Sequence, residues 1–226
     1  MEKIIFRIDE ILRYCKNRSV LHFGFVQHSH LYESLIAKNE WVHGQIGRVA
    51  HRLVGIDYLR DDVEKIKEKY GYEGYYGDAT DLSSCRLDEK FDVIVCGELI
   101  EHLTNPGLML EGIKKFMNKD SLLIITTPNP WGRPYLSQIK KNNDEKNWVN
   151  PEHVHWYTFF TLANTLERHR YKEVNYDYYY FFDTKEKYFK VLPGFIGRLK
   201  LFNRRLMIKN TDRQMQPGLF FVTQLK

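Results

Sequence analysis

The chain of 226 residues has few of the features that announce a function outright. Its three cysteines, Cys15, Cys85 and Cys96, are odd in number and scattered. No pair has CxxC spacing, so neither a disulfide framework nor a zinc ribbon is indicated, and a reduced, cytoplasmic setting is expected. The longest apolar stretches, such as Leu122 to Ile125, are strand-sized, which excludes a membrane span by length. Charges interrupt every apolar run between Met1 and Asp9, so no signal peptide is expected there. Internal repeats and low-complexity segments are lacking, and so is GxGxxG, which disfavours a dinucleotide dehydrogenase. Excess charge is small as well: 34 Lys+Arg against 29 Asp+Glu give +5.

What is present is a foldable composition. Hydrophobic residues make up 43% and aromatics 15%, with 15 tyrosines, which excludes a disordered chain. The length fits a single domain over 1–226. Helical spacing of Ile4, Ile5, Ile8, Ile11, Leu12 and Cys15 predicts an opening helix. Strands are predicted at 19–23, 53–56, 74–77, 91–96 and 122–127. Helices are predicted at 30–37, 40–51, from Leu59 to Tyr70, and from Pro106 to Met117. Strands alternating with helices imply a mostly parallel sheet covered on both faces. The uninterrupted apolar strands agree, because such strands are buried on both sides. After Pro130 the pattern changes: residues 131–158 read as a long loop with room for one helix, 159–169 as a helix, and 174–182 and 219–225 as the last strands.

In an open parallel sheet, ligands lie beyond the carboxyl ends of the strands. Gly24 ends the first strand, where backbone must come close to a ligand. Asp57, followed by Tyr58, ends the second, and its carboxylate can accept both hydroxyls of a ribose. Asp78-Ala79 follow the third, where Asp78 can accept from an exocyclic amine. Gly97-Glu98 follow the fourth. Each aspartate has a simpler use as a cap of the turn after it. Their joint placement on successive strand ends favours a nucleoside site.

The segments SVLHFG, LVGIDYL, YYGDATDL, FDVIVCGELIEHLTNPGLMLEGIKKFM and LLIITTPNP together resemble class I S-adenosylmethionine-dependent methyltransferases. The stretch from Phe91 to Pro130 resembles those of the ubiquinone-pathway and sugar-modifying type. That resemblance implies a Rossmann-like seven-stranded sheet whose last strand is antiparallel. It implies S-adenosylmethionine as cofactor, with Asp57 on its ribose and Asp78 and Ala79 on its adenine. The family's first loop carries an acidic residue and then GxGxG. Here it reads His22-Phe23-Gly24-Phe25-Val26-Gln27-His28, with one glycine. Side chains of Gln27 or His28 then take over at the methionine end, or cofactor binding is weakened.

Glu98, Glu101 and His102 have ExxEH spacing, which on a helical turn places all three on one face. Such a set invites a divalent cation such as Mg. Pro151 to Thr158 resembles the segment that supplies a further histidine in small-RNA terminal 2′-O-methyltransferases; His153 matches that ligand, with His155 as alternate. The other reading is metal-free: the glutamate orders the loop, and the histidine packs or serves as a base. In either case His102 and His153 are the catalytic candidates.

The expected acceptor is a hydroxyl or amine of a small molecule, foremost a sugar or glycan precursor, as in polysaccharide biosynthesis. Alternatives are RNA 2′-O-methylation or a non-catalytic partner subunit. No nucleic-acid module accompanies the domain, so DNA is not an expected partner. Residues 183–213, inserted between the last two strands, carry nine basic and three acidic residues. Phe195, Leu199, Phe202 and Leu206 fall on one face of a basic helix there. That helix is expected either to pack as a lid or to touch an anionic acceptor or membrane surface.

Overall fold

The computed structural model describes residues 5–141, 150–180, 183–190 and 194–226. Seven strands form one sheet in the order β3-β2-β1-β4-β5-β7-β6. They are β1 (Ser19–Phe23), β2 (Arg52–Asp57), β3 (Gly74–Tyr76), β4 (Phe91–Gly97), β5 (Met117–Pro128), β6 (Tyr171–Tyr179) and β7 (Gly218–Leu225). Strands β1 to β5 pair in parallel, while β7 runs antiparallel to both β5 and β6. The expected fold class is therefore the observed one.

Alternation along the strands builds two cores. Val20, Val93, Val95, Leu122, Ile124, Phe220 and Val222 point to one face, where they meet Ile8, Ile11 and Cys15 of α1 (Arg7–Cys15) and Val42 and Ile46 of α3 (Val42–Gly47). Leu21, Phe23, Ile94, Cys96, Leu123, Ile125 and Phe221 point to the other. There they meet Met109, Leu110 and Ile113 of α5 (Pro106–Ile113) and Leu162 and Leu166 of α7 (Phe159–Arg168). A strand buried on both sides needs apolar residues at every position, which is why these segments read as unbroken apolar runs. Helices α2 (Tyr32–Ala37) and α4 (Arg60–Tyr70) add a third cluster, in which Val63 and Ile66 pack with Phe25, Val26 and Trp41.

Several boundaries differ from expectation. Helix α3 stops at Gly47 rather than 51, since the chain must turn there to enter β2. Strand β5 starts five residues early, because a shift in its pairing with β4 between Phe91 and Val93 admits the polar stretch Asn118 to Asp120. Strand β6 starts at Tyr171 rather than 174. Phe181 and Phe182, expected to end it, lie outside the described residues. The one helix allowed for within 131–158 is α6 (Arg133–Lys141).

The insertion holds α8 (Lys185–Phe189) and α9 (Phe195–Lys209). Its expected apolar face is turned to solvent rather than packed as a lid: Leu199, Phe202 and Leu206 are exposed, Phe202 to 60%. Among the described residues, no helix is long and apolar enough to cross a membrane.

Candidate active site

The carboxyl ends of β1, β2, β4 and β5 meet on one edge of the sheet. Strand β1 runs into Gly24, in the left-handed region at φ 68°. Gln27 is also left-handed, at φ 70°, a conformation that ordinarily suits glycine or asparagine. The loop is not an open glycine cradle. Phe25 and Val26 are both buried, and the Phe25 ring lies over Gly55 and Gly74, where any Cβ would collide with it. Trp41 Nε1 donates to Phe25 O at 2.8 Å, and the Val42 N–H donates to Gln27 Oε1 at 3.2 Å. Gln27 thus braces the loop against α3, while His28 is exposed beside His30.

Asp57 is 5% exposed. Its Oδ2 accepts from the Val26 N–H at 3.0 Å and its Oδ1 from the Leu59 N–H at 3.1 Å. Burial raises its pKa, and these backbone donors work against that rise. Each oxygen keeps a second lone pair, so two further hydroxyls can be accepted. Tyr58, 67% exposed, offers a ring beside it. Asp78 is exposed; its Oδ1 accepts from the N–H and hydroxyl of Thr80, both at 2.7 Å, as a turn cap does. Ala79 is half-buried against the core. The polar carboxylate and exposed aromatic at β2, with left-handed Gly24 above, fit the adenosine half of S-adenosylmethionine. The loop that would face its methionine half is built from side chains instead of glycines.

Beyond β4 the expected helical turn is not what forms. Glu98 adopts φ 52°, and only Ile100–His102 then make a 3-10 turn. Glu98 is not among the residues whose ligand atoms converge with Glu101 and His102, although its charge still reaches Glu101 and His153. Its Oε1 accepts from Thr126 Oγ1 and Tyr179 OH, each at 2.8 Å, and lies 3.9 Å from Arg7 Nη1. Arg7 in turn donates from Nε and Nη2 to Asp183 Oδ1. Burial works to lower the Arg7 pKa, but Glu98 and Asp183 more than offset it, and the guanidinium stays charged. Gly97 lies beside Thr126 and Arg7.

Glu101, His102 and His153 do come together, with one ligand atom from each lying within 4.8 Å of the others. Glu101 is 1% exposed. Burial, reinforced by Glu98, pushes its carboxyl up to about 8. Its carbonyl oxygen accepts from the N–H groups of Val154 and His155, clipping the 3-10 turn to the segment that carries His153. His102 Nδ1 lies 3.2 Å from Glu152 O. A carbonyl only accepts, so Nδ1 carries the proton and Nε2 of the neutral ring keeps its lone pair. The His102 and His153 rings stand edge to face at 4.8 Å, and Trp156 closes on His153 at 5.6 Å. Burial and then His102 lower the His153 pKa. Among the described residues, both carboxylate oxygens of Glu101, Thr127 Oγ1, His153 Nδ1 and His155 Nε2 are buried without a partner at hydrogen-bond geometry, while the Thr127 hydroxyl works to lower the Glu101 pKa. His155 lies beside Tyr157, its rings 6.0 Å apart.

The site therefore unites Glu101, His102 and His153 and leaves Glu98 out of the cluster. It also recruits Arg7, Thr126, Tyr179 and Trp156. Trp156 lies in the Pro151–Thr158 segment and Tyr179 in the aromatic strand that the sequence singles out, whereas nothing in the sequence pattern points to Arg7.

Comparison with known proteins agrees with this architecture. The methyltransferase domain family matches residues 35–187. The ubiquinone biosynthesis O-methyltransferase of Rickettsia prowazekii is 29% identical over 117 residues, 50% of this chain and 46% of that protein. That of Glaesserella parasuis is 40% identical over 48 residues, 21% of this chain and 20% of that protein. The chain thus spans less than half the length of these relatives. A SAM-dependent methyltransferase from Archaeoglobus fulgidus superposes with TM-score 0.58 at 17% identity, covering 96% of this chain and 90% of that one. Magnesium protoporphyrin IX methyltransferase from Synechocystis PCC 6803, solved with bound SAH, gives TM-score 0.54 at 11% identity, covering 97% and 82%. At such identities the likeness establishes the fold, and the family match covers more than half of the sequence. This chain belongs to the methyltransferase domain family and carries the class I fold.

Proposed function

We propose that this chain transfers the methyl group of S-adenosylmethionine to a hydroxyl of a small molecule, with His102 as the general base. The observation that carries the reading is the 3.2 Å contact of His102 Nδ1 with Glu152 O: a proton on Nδ1 makes that bond and leaves Nε2 as the proton acceptor. When bound, the cofactor supplies a methyl already activated on a sulfonium, so the protein chiefly aligns the acceptor and removes its proton. Asp57 accepts the ribose hydroxyls, Tyr58 faces the nucleoside, and Asp78 with the Ala79 backbone reads the adenine. Gly24 and Gly97 admit the methionine end, which Gln27 frames and His28 reaches. The Arg7–Glu98–Tyr179 bridge holds the turn after β4 in place. Names of the similar curated proteins favour a hydroxyl over an amine, and a ubiquinone-type phenol over a sugar or glycan precursor. The test is transfer of labelled methyl to a panel of catechols, sugars and amines. Labelling of amines alone would overturn the hydroxyl assignment.

A second reading, also open to an RNA 2′-hydroxyl, adds a divalent cation held by Glu101, His102 and His153. Their convergence and the unpartnered Glu101 and His153 atoms support it. Two imidazoles and one carboxylate suit a borderline cation better than Mg. Such an ion would lower the pKa of a bound hydroxyl. Activity unchanged in EDTA refutes this version. For the inserted segment we infer peripheral contact with an anionic membrane surface. The exposed Ile196, Leu199 and Phe202, interleaved with Arg198, Lys200 and Arg205, support it. Failure to co-sediment with anionic vesicles at low salt removes it. The partner-subunit alternative would be favoured only by failure to bind cofactor.

A further inference from the structure

Strands β1 and β4 pair with Phe23 opposite Cys96, so Gly24 and Gly97 leave the sheet side by side. A glycine-rich loop would open this place to the cofactor's methionine end, but here the loop is filled by the buried Phe25 and Val26. Another group stands there instead. Arg7, at the start of α1, has its Nη1 3.9 Å from Glu98 Oε1 and 3.9 Å from where a Cβ on Gly97 would lie. Its charge also works to lower the pKa of His22, so Arg7 lies beside β1 as well as β4.

The guanidinium is committed on one side. Nε and Nη2 both donate to Asp183 Oδ1, at 3.0 and 2.8 Å, and the Asp183 carbonyl accepts from the Ile8 N–H at 2.9 Å. The Lys185 N–H donates to Asp9 Oδ2 at 2.7 Å, so the first turn of α1 and the start of the insertion hold each other. Nη1 is left with Glu98, beyond hydrogen-bond reach, and among the described residues no acceptor takes its two N–H groups. Glu98 is its counterpart. Thr126 and Tyr179 both donate to Oε1, and among the described residues no donor reaches Oε2. The two side chains are 14% and 32% exposed, withdrawn from bulk water yet open to a ligand. Unused donors on a guanidinium so placed are costly, and an acceptor on a bound molecule would offset that cost.

Charge selects the kind of molecule. Among the described residues the ion-pair partners of Arg7 are Glu98 and Asp183, two carboxylates for one guanidinium. A simple anion would therefore meet net repulsion. A head group with an ammonium beside its carboxylate adds no net charge, and it can offer the carboxylate to Nη1 and the ammonium to Glu98. The geometry points to Arg7 and Glu98 as the receptor for the zwitterionic amino-acid end of the cofactor, with Arg7 binding its carboxylate in place of a glycine loop. Asp183 is then a positioning residue that aims the guanidinium. The inference rests on the cofactor reading proposed above and names the charged groups that hold the methionine half.

The test is calorimetric titration of the full chain with three nucleosides. They are S-adenosylhomocysteine, its decarboxylated analogue 5′-deoxy-5′-(3-aminopropylthio)adenosine, and 5′-deoxy-5′-methylthioadenosine, which lacks both charges. The native chain should bind S-adenosylhomocysteine at least ~10-fold more tightly than either analogue, the size of one charge-assisted hydrogen bond. Arg7→Met should weaken S-adenosylhomocysteine by a similar factor without weakening the two analogues, which have no carboxylate to lose. Arg7→Lys, which keeps the charge, should recover part of the loss. Should Arg7→Met not fold, the native chain's preference for S-adenosylhomocysteine over its decarboxylated analogue carries the test. Equal weakening of all three probes in Arg7→Met, an unchanged affinity for S-adenosylhomocysteine in that variant, or a decarboxylated analogue bound as tightly as S-adenosylhomocysteine by the native chain would overturn this inference alone. Binding of none of the three to the native chain would overturn the cofactor reading along with it.

Discussion

Two buried histidines should withdraw about 4 kcal/mol of stability as the pH falls from 7.5 to 5.0. His22 lies in β1 and His43 in α3, stacked with ring centroids 5.4 Å apart and Nδ1 atoms 3.2 Å apart. Both are buried. Burial, and then Arg7, lowers the His22 pKa to about 3, and burial and then His22 hold His43 well below its ordinary value. In the unfolded chain each returns to about 6.5. Between that value and the folded one, the unfolded state binds more protons, so stability is complete above about 6.5 and falls as the pH drops. At pH 5.0 each unfolded histidine gains about 2 kcal/mol from protonation, and two give about 4 kcal/mol. Glu101, raised in the folded state, acts in the opposite direction, and it and the other carboxylates cancel in a comparison of variants. Urea unfolding followed by circular dichroism at both pH values, for the native chain and for His22→Asn/His43→Asn, measures the difference. The native chain should lose about 4 kcal/mol more than the double variant, with an intermediate loss for His43→Asn. Parallel losses in all three would show that burial does not keep the two rings neutral. Should the double variant not fold, ring-carbon NMR shifts of His22 unchanged down to pH 5 make the same point.

Three further outcomes follow from the geometry. His102→Ala should lower kcat by about 10²- to 10⁴-fold in the labelled-methyl assay while leaving S-adenosylhomocysteine affinity intact. A parallel loss of both would make His102 a structural residue. Val26→Gly, which restores a family-like glycine, should cost about 2–4 kcal/mol in urea unfolding, because Val26 is fully buried against Trp41 and Val63. An unchanged midpoint would mean that the loop is not held by its side chains. Gly218→Ala would drive a Cβ into the Tyr179 ring, so a loss of at least about 1–3 kcal/mol is expected. A wild-type melting temperature would show that the ring moves freely away from Glu98.

The sheet was legible because each central strand is apolar at every position, as Val93-Ile94-Val95-Cys96 is, and each is followed by a helix of period 3.6. The strand ends were legible too, since Asp57 and Gly97-Glu98 break those runs abruptly. Local backbone choices were not. Glu98 at φ 52° cannot be read from ExxEH, and this one residue removes it from the cluster that the spacing suggested. Nor could the partners of Glu98 be found by spacing, since Arg7 and Tyr179 are brought to it by tertiary packing from 91 and 81 residues away. The loss of glycines after Gly24 was visible in the sequence. Its consequence, a loop packed around Phe25 and Trp41, depended on Gly55 and Gly74 leaving room for a ring.

The carboxyl edge of this sheet is expected to hold S-adenosylmethionine despite its rebuilt first loop. Calorimetric titration with S-adenosylhomocysteine tests it most directly. Saturable 1:1 binding is predicted, weakened by at least ~10-fold in Asp57→Ala, which removes the carboxylate that would accept two ribose hydroxyls. No binding to the native chain at millimolar ligand would mean that the rebuilt loop has closed the cofactor site, and binding that Asp57→Ala leaves unchanged would take Asp57 out of it.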